Sequence, residues 1–179
     1  MDSALDLRRW SLRTIFALMV AVVLITALLP LRVEAPRFPG PDLVLCVTLA
    51  WVLRRPDVLP VLFVVAAVLL EDFLFQRPPG LWALLVLIGS EVIRRQAYRE
   101  GEIPFLLEYG MVAATITGMM VAERVLLAVA FVPQPSLGAH LLHLATTIAI
   151  YPVVVAISVF VLGVRPLATD GPRIRGMRP

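Results

Sequence analysis

The sequence predicts an all-α, polytopic membrane protein of six transmembrane helices. Three observations carry that prediction: the composition, the length set against the apolar stretches, and the placement of arginine. Of 179 residues, 60% are apolar and 16% charged, and the mean hydropathy is +0.90. Such a chain is not an ordinary water-soluble enzyme. It is also the reverse of a disordered chain, which combines low hydrophobicity with high net charge.

A helix rising about 1.5 Å per residue crosses about 30 Å of hydrocarbon with about 20 apolar residues. The 179 residues therefore hold six crossings only with short loops. Six apolar stretches are present: Ile15 to Leu31, Leu43 to Leu53, Val58 to Phe75, Gly80 to Ile93, Phe105 to Val132 and Leu137 to Gly163. With their flanks they predict spans over 14–31, 42–53, 58–75, 80–93, 105–132 and 137–163, leaving tails 1–13 and 164–179. Proline, glycine and arginine punctuate the connections, none of which is long enough for a soluble domain.

All sixteen basic residues are arginine. Basic residues flanking spans tend to stay cytoplasmic. With the amino terminus inside, twelve arginines fall in inside segments, Arg8, Arg9, Arg94 and Arg95 among them as cytoplasmic anchors, and only Arg32, Arg37 and Arg77 fall outside. Both termini are thus expected in the cytoplasm, and a sequence pI of about 9.7 reflects topology and attraction to anionic lipid headgroups rather than a nucleic-acid partner.

The first stretch follows Arg8, Arg9 and Arg13 and reads as an uncleaved anchor, because Pro30, Arg32 and Glu34 make a poor cleavage region. The second, only eleven residues from Leu43 to Leu53, is expected to be lengthened through Asp42 and shielded by its neighbours, with Arg54 and Arg55 at the cytoplasmic surface. Glu71 and Asp72 close the third stretch near Arg77, as an interfacial pair sealing the Pro78-Pro79-Gly80 turn. In the fourth, Glu91 precedes Arg94 and Arg95 by three and four positions, the favourable order on a solvated helix end.

The fifth stretch opens with Glu108 one turn after Pro104, where the helix dipole favours a carboxylate. It carries Gly110, Ala114, Gly118 and Ala122, small residues at every fourth position. Lipid tails give helices no hydrophobic reason to associate, so such a ridge is expected to pack closely on another helix, of this chain in the first instance or of a partner. Glu123 and Arg124 then lie within the span and require partners from another helix, since adjacent residues point about 100° apart. Glu123 sits at nearly the depth of His143 and Thr147 on the returning sixth helix, which predicts a Glu123–His143 contact. His140, His143, Thr147, Tyr151 and Ser158 recur along one face of that helix and are expected to face other helices.

Nucleophile elbows, zinc-protease helices, phosphate-binding loops and dinucleotide turns have no match in the sequence. His140 and His143 supply only two ligands to a metal, with Glu123 a third at most. Cys46 sits in an apolar run and reads as a small buried hydrophobe. The expectation is a protein without catalytic, cofactor or metal residues.

The segment Pro41-Asp42-Leu43-Val44-Leu45 through Ala50-Trp51-Val52-Leu53-Arg54-Arg55-Pro56-Asp57 resembles MreD, the rod-shape-determining membrane protein family. So does Leu69-Leu70-Glu71-Asp72-Phe73-Leu74-Phe75 followed by Gly80-Leu81-Trp82-Ala83-Leu84, an apolar run ending in aspartate, then a turn and a glycine opening the next helix. The resemblance covers Pro41 to Leu87 and falls on Pro41, Asp42, Arg54, Arg55, Pro56, Asp72 and Gly80 as motif positions. It implies a non-enzymatic scaffold subunit of the bacterial cell-elongation complex in the inner membrane. The partners it implies are an MreC-like single-span protein, actin-like MreB, a SEDS glycosyltransferase and a class B penicillin-binding transpeptidase. It also implies a fold similar to the substrate-capture subunits of energy-coupling-factor transporters, so that small-molecule capture is the second function to weigh.

Overall fold

The computed structural model of the chain describes residues 2–29, 40–100, 104–162 and 164. Most of the connection predicted from Arg32 to Asp42, the tail 165–179 and the side chain of Arg8 lie outside the described residues. Six helices follow one another: α1 (Asp2–Leu28), α2 (Leu43–Arg54), α3 (Val61–Leu74), α4 (Leu81–Glu100), α5 (Phe105–Val129) and α6 (Leu137–Phe160). Among the described residues there is no strand.

The helices run alternately up and down. At the end where α1 begins, here the proximal end, Arg13 Nε donates to the Val58 carbonyl at 2.9 Å and Arg94 Nη1 donates to the Pro56 carbonyl at 2.8 Å. At the distal end the Asp42 amide donates to Thr147 Oγ1 at 3.1 Å, joining the start of α2 to α6.

The short second element is the axis of the bundle. Ten of the twelve residues of α2 are buried, packed among α1, α3, α4 and α6. Trp51 is wholly enclosed, with Phe16 tilted against it at 5.5 Å and its Nε1 donating to Ser158 Oγ at 3.2 Å. A helix apolar on every side belongs in an interior, and α2 is apolar on every side. On α1 the buried face is Leu12, Phe16, Val20 and Leu24, one residue per turn. Its other faces carry exposed Leu18, Val22 and Ile25; α5 and α6 likewise expose Leu106, Val121, Val125, Leu141, Val153 and Ile157. So much apolar surface pointing outward is what a lipid solvent permits and water does not.

Three helices are long and apolar enough to cross a membrane: Arg9–Leu28 within α1, all of α5 and all of α6. Among the described residues, these three of the six expected spans meet that measure. At 12 and 14 residues, α2 and α3 are about 18 and 21 Å long. Helix α4 has 20 residues, but its second half carries Glu91, Arg94, Arg95 and Arg99. The chain is a helical membrane protein by the length and hydropathy of three helices, with shorter or more polar elements packed among them.

The small-residue contact that closes the bundle is not the one the sequence singles out. A Cβ at Gly89 on α4 would collide with Met119 Sδ of α5 and lie 3.1 Å from Thr115 Cγ2. On α5, Cβ atoms at Gly110 and Gly118 would meet nothing within 4 Å; Ala114 is exposed and Ala122 half-buried. Of the expected ridge, Ala122 packs against the core, while Gly110, Ala114 and Gly118 face no other helix among the described residues. Helix α5 turns Val112, Ile116, Met119 and Met120 inward instead, because those bulkier side chains fill the space against α4.

Candidate functional site

The intramembrane polar residues collect at the two ends of the bundle, and the distal collection borders a cavity. Asp42 begins it: as N-cap of α2, its Oδ1 accepts from the Leu45 amide at 2.8 Å. Thr147, whose Oγ1 receives the Asp42 amide, passes its own proton to the His143 carbonyl at 2.7 Å. His143 Nδ1 lies 2.6 Å from the Gly40 carbonyl. A carbonyl only accepts, so Nδ1 carries the proton.

Helix α3 brings two carboxylates of opposite circumstances. Asp72 Oδ2 accepts from the amides of Gly80 at 3.0 Å and Ala83 at 3.3 Å, so the end of α3 caps the start of α4. Gly80 has φ of +90°, a conformation that costs a side-chain-bearing residue strain. The motif's aspartate and glycine thus meet in one turn, and of the Glu71 and Asp72 pair expected to seal it, Asp72 makes the hydrogen bonds. Glu71 has no such partner. Its side chain is 4% exposed, its Oε1 lies 3.5 Å from Arg77 Nη1, and its Oε2 has no hydrogen bond.

Arg77 is the hub. Its Nη1 is also 3.9 Å from Asp42 Oδ2, and its guanidinium stands 5.8 Å from the ring centres of Phe75 and Trp82. It is the opposite charge that Glu123 experiences as well. Arg124 does not share this load: its Nη1 donates to the Pro135 carbonyl at 3.3 Å, while Gln134 donates back to the Arg124 carbonyl at 3.0 Å. One guanidinium therefore stands at ion-pair distance from two buried carboxylates.

On one side of Arg77 a cavity of about 500 Å³ opens between α1, α2 and α3, with Asp42, Glu71, Arg77 and His143 in its polar wall and Val23, Leu24, Ala27, Leu43, Val44 and Phe75 in its apolar one. On the other side a smaller space of about 170 Å³ is bordered by Trp82, Glu123, Arg124, Gln134, His140 and His143. Arg77 and His143 belong to both walls.

The expected Glu123–His143 contact does not form. Both residues line the smaller space, but the His143 ring is drawn to Gly40, because the backbone at the start of α2 lies nearer its Nδ1. Arg124 is satisfied by the turn that follows its own helix, not by another helix. The polar face of α6 turns onto α2 through Thr147 and Ser158 and onto α5 through Tyr151, all fully buried.

The proximal end holds a network that sequence reasoning missed. Arg54, expected at the surface, is 5% exposed; its Nη2 donates to Glu108 Oε2 at 2.7 Å, and Tyr151 donates to Glu108 Oε1 at 2.8 Å. Glu108 is held by these two residues as well as by its place at the start of α5. Arg55 pairs with Asp57 through two hydrogen bonds of 3.0 Å, and Arg9 approaches Asp57 at 3.8 Å. Partial burial alone would raise the Asp57 carboxyl, but Arg55 and Arg9 together hold it below the usual carboxylate range. Arg94 takes Glu91 at 2.7 Å and reaches into the bundle to Pro56, while Arg95 stays exposed. The signal available in the sequence was one acid at the start of α5 facing one arginine at the end of α2, but pairing them required knowing that those ends meet.

Among the described residues no group of three His, Cys, Asp or Glu is placed to hold a metal ion. Cys46 is buried and donates to the Thr147 carbonyl at 3.4 Å, a packing role. No protein-family model, curated protein or solved structure matches the chain.

Proposed function

We propose that the chain is a non-enzymatic scaffold subunit of the bacterial cell-elongation complex, of the MreD type, threaded six times through the inner membrane with both termini in the cytoplasm. It supports peptidoglycan synthesis and cell shape by binding an MreC-like single-span protein, and through it or directly MreB, a SEDS glycosyltransferase and a class B penicillin-binding transpeptidase. The observation that carries this reading is the open ridge of Gly110, Ala114 and Gly118 on a long apolar helix, a surface that admits close approach of a second helix and meets none among the described residues. The motif positions support it by their roles: Asp42 caps, Arg54 pairs inside, and Asp72 with Gly80 joins two helices, all frame-building tasks.

Recovery from membranes in mild detergent tests the reading. An MreC-like protein should co-purify, Gly118→Leu should reduce that recovery while the chain still accumulates, and depletion should round rod-shaped cells. Retention of the partner by Gly118→Leu would remove the ridge from the interface. A second reading, a small-molecule-capturing membrane subunit of an energy-coupling-factor-type transporter, is favoured by one feature, the 500 Å³ distal cavity. Co-purification of an ATPase module in place of an MreC-like partner would select it.

A further inference from the structure

Among the described residues, the distal cavity carries more buried acidic groups than basic ones. Two carboxylates of its wall, Asp42 and Glu71, are 1% and 4% exposed at the side chain. Arg77 approaches each at ion-pair distance, 3.9 and 3.5 Å, without a hydrogen bond to either. Among the described residues, Asp42 Oδ2 and Glu71 Oε2 have no hydrogen-bond partner. Buried charges are otherwise paired or neutralised, and a carboxylate oxygen left bare inside a protein is costly. His143, the remaining ionisable wall residue, commits its Nδ1 proton to Gly40.

The opposite face of the same cavity is apolar, built by Val23, Leu24, Leu43 and Phe75. A space of about 500 Å³ is in the range that takes a small organic molecule. Its shape of demand is one positive donor group at the Asp42–Glu71 wall and a hydrocarbon body against α1 and Phe75.

We propose that the distal cavity is a binding site for an organic ammonium compound, its cationic head hydrogen-bonded to Asp42 and Glu71 and its apolar body seated against α1 and Phe75. A primary ammonium has three donors, enough for both bare oxygens and one neighbouring acceptor. The assignment holds under either functional reading. The head group is supplied by a free amine or by an ethanolamine phospholipid.

The test uses the full chain in nanodiscs of phosphatidylglycerol, titrated with hexylamine at neutral pH and followed by Trp fluorescence and thermal stability. Hexylammonium should bind saturably and raise the melting temperature, whereas hexanol and hexanoate should not. Glu71→Gln, which keeps the shape and removes the charge, should weaken hexylammonium binding about tenfold or more, and Asp42→Asn should do the same while retaining the cap on α2. Nanodiscs containing phosphatidylethanolamine should abolish the hexylamine response if the lipid headgroup is the occupant, and leave it intact if a free amine is. Absence of a saturable response in both lipids, an equal response to hexanol, or undiminished binding by folded Glu71→Gln overturns the proposal. None of these readouts involves an MreC-like partner, so failure here leaves the scaffold reading standing, and the converse holds.

Discussion

Arg54 is worth most where it is least visible. Joined to Glu108 at 2.7 Å, with both side chains under a tenth exposed, it forms a buried ion pair whose second acid oxygen is closed by Tyr151. Removing one partner of such a pair strands the other charge. Glu108→Ala should therefore cost about 3–5 kcal/mol, and Tyr151→Phe, which removes one hydrogen bond to a charged acceptor, about 1.5–3 kcal/mol. Thermal unfolding in detergent measures both, and equal small losses would show that the pair is solvated. Asp57 makes a pH prediction of definite sign. Its carboxyl is held below the unfolded value by Arg55 and Arg9, so its contribution is fully present above the ordinary carboxylate range and is lost as pH falls through the depressed folded value. Acid titration of thermal stability should show that loss in the native chain and a smaller one in Asp57→Asn. At this scale the sequence was a partial guide. It marked Asp72, Gly80 and Thr147 as residues with a task, but it placed Arg54 at a surface and gave Glu123 to His143, because a side chain's partner depends on which helix ends meet.

At the scale of elements, the pattern of apolar stretches foretold six helices in the right order, and the bounds fall within a few residues for α2, α3, α5 and α6. What the pattern did not convey was their rank. The shortest, α2, is the most enclosed, and the long α1, α5 and α6 lie at the periphery with apolar sides outward. Spacing of small residues was likewise ambiguous: Gly89, isolated in sequence, is the close contact between α4 and α5, and the regular ridge on α5 is left open. Gly89→Leu should consequently destabilise the isolated chain by about 1–3 kcal/mol through overpacking against Met119 and Thr115, whereas Gly118→Leu should leave its melting temperature unchanged. Comparing the two in the same detergent decides the matter, and a large loss for Gly118→Leu would mean the ridge packs after all. The turn between α3 and α4 offers a third comparison. Asp72→Ala removes the acceptor of two backbone amides and should cost about 1–3 kcal/mol, with Asp72→Asn, which keeps an acceptor oxygen, costing less.

Over the whole molecule, polarity is arranged in two tiers, an ion-paired network at the proximal end, where Arg54 meets Glu108 and Arg94 meets Glu91, and a cluster of more loosely paired carboxylates beside a cavity at the distal end. Reporter fusions at the two termini should both report the cytoplasm if the six-crossing topology holds; a periplasmic carboxyl terminus would require an odd number of crossings. The sequence by itself determined the solvent, the helical class and the order of the elements, because hydropathy and period are properties of each segment alone. Which helix is the core, which small-residue face stays open, and that Asp42 and Glu71 converge on a single arginine emerge only from the folded arrangement. Those are relations among segments far apart in the chain, and the energy of a buried charge depends on neighbours that no local pattern records.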